Sequence, residues 1–295
     1  LGETLVLGAS ASIYLAKSIS EGLNARFAPL DTKIFPDGEI YVRIPVKTHG
    51  KDVIIVQSMY RTPNSFLIEL IFAAETLREL GARRVVGVIP YLPYLRQDER
   101  FKPGEAISAK IVGKMLGARL DKIYTVDAHL HRIRSLKEIF EVDVINLSII
   151  SELARATIKE FGLNDPTLIA PDEEAEQWVK KAAETLNCNY IVLRKERKGD
   201  EEVSITGLKR TVGEALLIDD IISTGGTVAE AAKLLYERGA ERVYVAAVHG
   251  IFVKGAEKRL FESGVRGILT TDSIPSPYSK VSIAPLISST LRKEL

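Results

Sequence analysis

The chain has 295 residues, 46% of them hydrophobic and 27% charged, with a formal net charge of +1. That length provides for two cores at roughly 150 residues each, and the near-neutral balance argues against a nucleic-acid coat or a membrane-surface role. No apolar run nears the roughly 18 residues needed to cross a bilayer, and the single cysteine, Cys188, excludes an internal disulfide framework or a cysteine-rich zinc site and points to a reducing, cytoplasmic compartment.

The opening stretch, LGETLVLGASASIYLAKSISEGL, has no basic region ahead of its apolar residues and reads as strand, Gly turn and helix rather than signal peptide. In residues 34–44 the Pro36-Asp37-Gly38 unit is turn chemistry, and the alternation after it predicts an amphipathic strand. Phe35 is then either an ordinary hairpin contact or a flat surface for a base. Segment 52–95 predicts a β-branched strand, a polar turn, an Ala/Leu/Glu-rich helix, a Gly-Ala turn and a second buried strand at Val85–Ile89. Arg96, Gln97 and Arg100 follow that strand, where loops of open α/β sheets carry function. Their alternating charges suit a solvated loop equally well. After an expected strand Lys122–Val126, the run Asp127-Ala128-His129-Leu130-His131 sets an acid and two imidazoles at alternate positions. It could bring His129 to a metal or a leaving phosphate; no further His or Cys cluster accompanies it, which argues against zinc.

In the second half, buried strand residues near Ile191 break into the polar run Arg194-Lys195-Glu196-Arg197-Lys198-Gly199-Asp200. Few of these side chains can find a core, so the run is expected to be a mobile loop. Such a loop is either merely solvated or, bearing Lys195 and Arg197, able to close over bound phosphates. Residues 214–228, EALLIDDIISTGGTV, carry the most information. Ala215–Ile218 reads as a buried parallel strand ending in Asp219 and Asp220. The turn Ser223-Thr224-Gly225-Gly226-Thr227 then leads into an amphipathic helix near Val228. Small side chains let the turn's amides approach an anion, and the helix behind adds unpaired donors and a positive dipole end. Two carboxylates beside that cradle repel a bare phosphate but suit a polyhydroxylated sugar, a bridging divalent cation, or both.

Segments 52–95 and 214–253 tell the same story twice: strand, polar turn, helix, Gly-Ala-Xaa-Arg-Val turn, strand, with Gly81 corresponding to Gly239 and Gln57 set against Asp219. Repeated βαβ units imply parallel strands flanked by helices. The expected fold is therefore α/β, two tandem duplicated domains over 1–145 and 146–295. The first copy has QSMYRTPNS where the second has DDIISTGGT. Without acids and glycines it should no longer cradle a sugar phosphate.

DDIISTGGT resembles the phosphoribosyl-diphosphate motif of the type I phosphoribosyltransferase fold. Together with FPDGE at 35–39, RQDERF at 96–101, GEAISAK at 104–110, the D-x-H segment at 127–129, PD at 171–172 and K-x-R at 195–197, it makes nearly the whole chain similar to the ribose-phosphate diphosphokinase family. The resemblance implies transfer of a diphosphoryl group from ATP to ribose 5-phosphate with magnesium (Mg2+), in a homo-oligomer built from dimers. It implies catalytic Lys195 and Arg197. The ATP contacts it implies are Phe35, Asp37, Gly38, Glu39, Arg96 and Gln97, those of the first segment supplied by a neighbouring subunit. The substrate contacts it implies are Asp219, Asp220, Ser223, Thr224, Gly225, Gly226 and Thr227, and the positions it matches to magnesium are His129 and Asp172. Two departures stand out. The family has Asp-Leu-His-Ala where this chain has Asp127-Ala128-His129-Leu130, and Gly-Gly where it has Glu173-Glu174-Ala175, carboxylates that could alter metal affinity or block phosphate approach. A phosphoribosyltransferase consuming the diphosphate would share only DDIISTGGT. A silent relative would be expected to have lost the loop pair or an acid.

Overall fold

A computed structural model describes residues 3–133, 135–198, 202–206 and 213–294. Two compact units emerge, Leu1–Leu147 with Ile283–Leu295, and Ser148–Ser282.

The first unit runs β1 (Thr4–Gly8), α1 (Ile13–Leu23), β2 (Arg26–Pro29), β3 (Asp31–Ile34), β4 (Ile40–Arg43), β5 (Asp52–Val56), α2 (Pro63–Glu79), β6 (Arg84–Val88), α3 (Ser108–Gly117), β7 (Lys122–Val126) and β8 (Asp143–Leu147). Its sheet is ordered β2-β1-β5-β6-β7-β8, with every pairing parallel. The second unit runs α4 (Ile150–Phe161), β9 (Thr167–Ala170), α5 (Glu176–Leu186), β10 (Tyr190–Val192), β11 (Arg194–Lys198), β12 (Glu202–Thr206), β13 (Glu214–Ile222), α6 (Gly226–Glu237), β14 (Arg242–Gly250), α7 (Ala256–Glu262), β15 (Gly267–Thr271) and β16 (Ser279–Val281). Its parallel order, β10-β9-β13-β14-β15-β16, repeats the first strand for strand. Central strands such as Val53–Val56 and Ala215–Ile218 are fully buried, as expected where helices cover both faces.

Each unit also inserts one antiparallel hairpin after its edge strand: β3–β4 after β2, and β11–β12 after β10. The sequence reading missed this equivalence, because the two hairpins share no residues that align by eye.

Helix periodicity explains the layers. In α4 the buried residues Ile150, Leu153, Ala154 and Thr157 recur at three- and four-residue spacing. The last helix, α8 (Ala284–Leu291), belongs with the first unit and packs on α1, so residues 283–295 part from the second half in which the tandem division at 146 would keep them. Gly22 of α1 makes the contact possible, since a Cβ there would lie 2.5 Å from Ser288 Oγ. The Arg292 guanidinium donates to the Gly22 carbonyl, and Glu294 Oε2 accepts from Lys122 Nζ at 2.5 Å and from the Tyr124 hydroxyl at 2.6 Å.

Candidate functional site

In the second unit the chain leaves β9 toward β10 on one side and later places β13 on the other. The carboxyl ends of β9 and β13 therefore flank a crevice of the kind that receives ligands in open α/β sheets. β9 stops at Ala170, whereas β13 continues to Ile222 and pairs Asp219 with Ala247 and Ile221 with His249. The strand expected to end in the two aspartates thus runs two residues beyond them, carried past the end of β9 by the longer pairing with β14. The helix likewise begins at Gly226, two residues earlier than Val228.

Asp220 is buried and its amide donates to Asp219 Oδ1 at 2.9 Å. Although Asp219 keeps some exposure, burial pushes its carboxyl well above the usual range, and the negative charges of Asp220 and then Asp172 push it further. Asp172, two residues after β9, is also raised, first by burial and then by Glu174 and Asp220, against the opposing hydrogen bond from the Ala175 amide at 3.2 Å. Two raised carboxylates beside Asp220 suit a divalent cation or sugar hydroxyls, either of which relieves their repulsion.

The turn beyond β13 has its carbonyls tied back. Ser223 O accepts from the Val253 amide at 3.0 Å, and Thr224 O accepts from the Arg259 guanidinium on α7. Its amides lack backbone partners: among the described residues those of 223–228 donate to no backbone acceptor, and Ala229 N to Gly225 O at 2.9 Å opens the helical ladder. Gly225 stands at φ +71°, and a Cβ there would meet Leu260 and Ala256 only at ordinary contact, so backbone conformation rather than space calls for glycine. Around Gly226 a Cβ would find nothing nearer than Thr224 Oγ1 at 3.9 Å. Free amides, a helix N-terminus and open space together form an anion receptor.

The equivalent crevice of the first unit is taken by the protein itself. Glu69 Oε1 accepts the Ser10 amide at 2.8 Å, Gln57 Oε1 the Ala11 amide at 3.2 Å, and Ser12 Oγ the Ser58 amide at 2.8 Å. Gln57 stands where the repeat places Asp219, and it serves the loop rather than a ligand.

The polar run from Arg194, expected as a mobile loop, instead begins with β11, which pairs antiparallel with β12, Lys195 opposite Ile205 and Arg197 opposite Val203. The two-residue period of a strand puts positions 195 and 197 on one face. The side chains of Lys195 and Arg197 lie outside the described structure. Arg194 at the hairpin's root pairs with Glu173, Nε to Oε1 at 3.3 Å.

In the first unit the β3–β4 hairpin closes through Phe35 N to Glu39 O at 2.8 Å and Gly38 N to Phe35 O at 2.9 Å, while Asp37 Oδ1 accepts the Glu39 amide at 3.2 Å. Phe35 packs edge-on to Tyr41 with Lys33 Nζ 4.8 Å from each ring, yet stays 38% exposed. Arg96 is exposed and Gln97 half-buried in the loop before α3, and Arg100 Nε donates to Glu105 O at 2.9 Å. His129 is half-buried beyond β7, in a loop held by Asp127 N to Leu147 O at 2.7 Å and Ala128 N to Asn146 Oδ1 at 3.0 Å. Among the described residues no three His, Cys, Asp or Glu side chains converge as a metal cage. Magnesium is commonly held by one or two carboxylates plus substrate phosphates, which the single Asp172 position accommodates. Arg259, which restrains Thr224, has no signal in the local sequence; only the packing of α7 reveals it.

Comparison with known proteins agrees along the whole chain. Residues 4–119 match the N-terminal domain of ribose phosphate pyrophosphokinase, and residues 144–278 match the phosphoribosyl transferase domain. The ribose-phosphate pyrophosphokinase of Sulfolobus acidocaldarius is 37% identical over 98% of this chain and 99% of that protein. That of Pyrococcus furiosus is 40% identical over 96% and 98%. The crystal structure of phosphoribosylpyrophosphate synthetase from Mycobacterium smegmatis superposes with a TM-score of 0.88 at 29% identity, covering 99% of this chain and 98% of that one. No helix among the described residues is long and apolar enough to cross a membrane.

Proposed function

The chain belongs to the ribose-phosphate pyrophosphokinase family, and on that premise we propose how its own residues carry the reaction. ATP and ribose 5-phosphate give 5-phospho-α-D-ribose 1-diphosphate and AMP, a product used in nucleotide biosynthesis. The C1 hydroxyl oxygen forms a bond to the β-phosphorus while the bond from that phosphorus to the α,β-bridging oxygen breaks. AMP leaves with the bridging oxygen, and the hydroxyl proton is lost to solvent. Such transfers depend chiefly on positioning and charge stabilisation.

The observation that carries the assignment is the contrast between the two equivalent turns: among the described residues the amides of 223–228 have no backbone acceptor, whereas in the first unit those of Thr62, Ser65 and Phe66 donate to Tyr60 O, Thr62 O and Thr62 O at 2.6, 3.1 and 3.3 Å. Residues Ser223, Thr224, Gly225, Gly226 and Thr227 hold the 5-phosphate, and Asp219 and Asp220 the ribose hydroxyls. Lys195 and Arg197 stabilise charge on the β-phosphate and the departing AMP oxygen. Phe35, Asp37, Gly38, Glu39, Arg96 and Gln97 bind ATP, those of the first hairpin on behalf of a neighbouring subunit in a homo-oligomer built from dimers. His129 and Asp172 are the positions for magnesium, which when bound would neutralise phosphate oxygens. We place the enzyme in the cytoplasm, on the strength of one cysteine and the family's metabolic role. Incubation with magnesium, ATP and ribose 5-phosphate should release AMP; release of ADP instead would exclude diphosphoryl transfer.

A further inference from the structure

The loop between β6 and α3 converges on one side chain that neither the motifs nor the family comparison assign. Glu105 Oε2 accepts from the Phe101 amide at 2.8 Å, the Lys102 amide at 3.0 Å and Gln97 Nε2 at 3.3 Å. Its own carbonyl accepts from Arg100 Nε at 2.9 Å. The turn that folds Glu105 back passes through Gly104 at φ +86°, with Glu105 N to Lys102 O at 3.3 Å. Gln97 is fixed a second time through its main chain, whose carbonyl accepts from the Ala109 amide in the first turn of α3 at 3.3 Å.

Two consequences follow from donor and acceptor counting. Gln97 Nε2 has two hydrogens, and both have acceptors inside the loop, Glu105 Oε2 and Glu99 O at 3.2 Å. Both neighbours accept only, so the orientation of the amide is determined, and the group Gln97 retains for a ligand is its carbonyl oxygen. Further, a carboxylate in a loop meant for a polyphosphate would repel it. Three N–H donors on one Glu105 oxygen offset that charge locally while holding residues 97 to 102 in one arrangement.

We propose that Glu105 is a positioning residue for nucleotide binding: it holds Gln97 and the 100–102 backbone ready for ATP, and makes Gln97 face the nucleotide as an acceptor. This rests on the reading of Arg96 and Gln97 as ATP contacts. The holding acts on the nucleotide side alone, so its removal separates the two substrates.

The test uses full-length Glu105→Ala and Glu105→Gln with steady-state kinetics and direct titration of ATP. Glu105→Ala should raise KM and Kd for ATP about tenfold, the size expected for losing one net charge-assisted hydrogen bond. KM for ribose 5-phosphate and kcat should stay within about twofold, since uniform binding is lost rather than transition-state stabilisation. Glu105→Gln keeps a carbonyl acceptor and should recover most of the ATP affinity. Unchanged ATP constants in Glu105→Ala would overturn the proposal, as would equal losses for both substrates or failure of Glu105→Gln to recover. If Gln97→Ala leaves ATP affinity untouched in an enzyme that forms AMP, the underlying reading of Gln97 fails instead, and the proposal goes with it.

Discussion

Glu173 Oε1 lies 3.3 Å from Arg194 Nε, which joins the loop carrying Asp172 to the root of the hairpin carrying Lys195 and Arg197. The carboxylate that departs from the family's Gly-Gly is thereby matched by a cation, and it need not add to the repulsion among Asp172, Asp219 and Asp220. Both partners are more than half exposed, so the pair itself contributes only about 0–1 kcal/mol to stability.

The two single neutralisations should therefore differ. Glu173→Gln removes a charge already balanced and should leave kcat/KM within about twofold. Arg194→Gln leaves Glu173 unmatched next to Asp172 and should lower kcat/KM roughly three- to tenfold, with thermal stability nearly unchanged. Adding Glu173→Gln to Arg194→Gln should restore most of the loss. Equal effects of the two single variants, or no restoration, would show that the pair does not work in this way.

Asp219→Asn should trade activity for stability. A carboxyl whose folded pKa lies above its unfolded value supports the fold most below the unfolded value, and that support is lost as pH rises through the folded value. Asp219 and Asp172 are both raised, so the support they give the ligand-free fold is lost as the pH rises through their folded values, and their contribution to the melting temperature should grow on acidification. The asparagine variant should melt higher at neutral pH, with a weaker pH dependence there, by about 2–4 °C for each kcal/mol relieved. Turnover should fall by two to three decades, roughly as for loss of other electrostatic contacts to a reacting substrate. A variant that melts lower than wild type in the absence of ligand would contradict the mutual repulsion.

Gly225→Ala tests the turn. Its φ of +71° costs an L-residue about 1–2 kcal/mol, while its Cβ would find only ordinary contacts. The effect should therefore appear as a higher KM for ribose 5-phosphate, with ATP affinity little changed, and Gly225→Asn should be milder because asparagine tolerates this region. Similar KM increases for alanine and asparagine would point to volume rather than backbone conformation.

The C-terminal helix offers a stability test remote from chemistry. Burial alone would raise the Glu294 carboxyl, but hydrogen bonds from Lys122 and Tyr124 hold it below its ordinary value. Its contribution is thus present above the unfolded carboxylate pKa and lost on acidification. Glu294→Gln should reduce the melting temperature at neutral pH more than at pH 4. Gly22→Val, with a Cβ forced to 2.5 Å from Ser288 Oγ, should loosen α8 by overpacking at about 1–3 kcal/mol. If heating melts Gly22→Val no earlier than wild type, α8 is not docked there.

Much of this was legible in the residues themselves. Apolar runs such as Ala215–Ile218 and the repeated Gly-Ala turns at Gly81 and Gly239 dictate parallel strands and a duplicated order, because local pattern and burial agree. What escaped the sequence is non-local. The extension of β13 to Ile222 depends on β14 lying alongside, and the polar run from Arg194 looked like a solvated loop because β11, Arg194–Lys198, is charged throughout and has no apolar alternation to read. Arg259 reaches Thr224 from a helix more than thirty residues onward, and Glu105 matters through three donors contributed by its neighbours. The address of the tail was equally hidden, since Gly22 and Ser288 meet only after both helices have formed.

The central claim is that the amides of 223–228 receive the phosphate of ribose 5-phosphate, and hydrogen exchange addresses it without assuming any chemistry. Peptides spanning 219–229 should exchange quickly in the free protein and become protected on adding ribose 5-phosphate, with ribose alone giving much weaker protection. Protection by ribose 5-phosphate elsewhere, with 223–228 exchanging as before, would contradict the account.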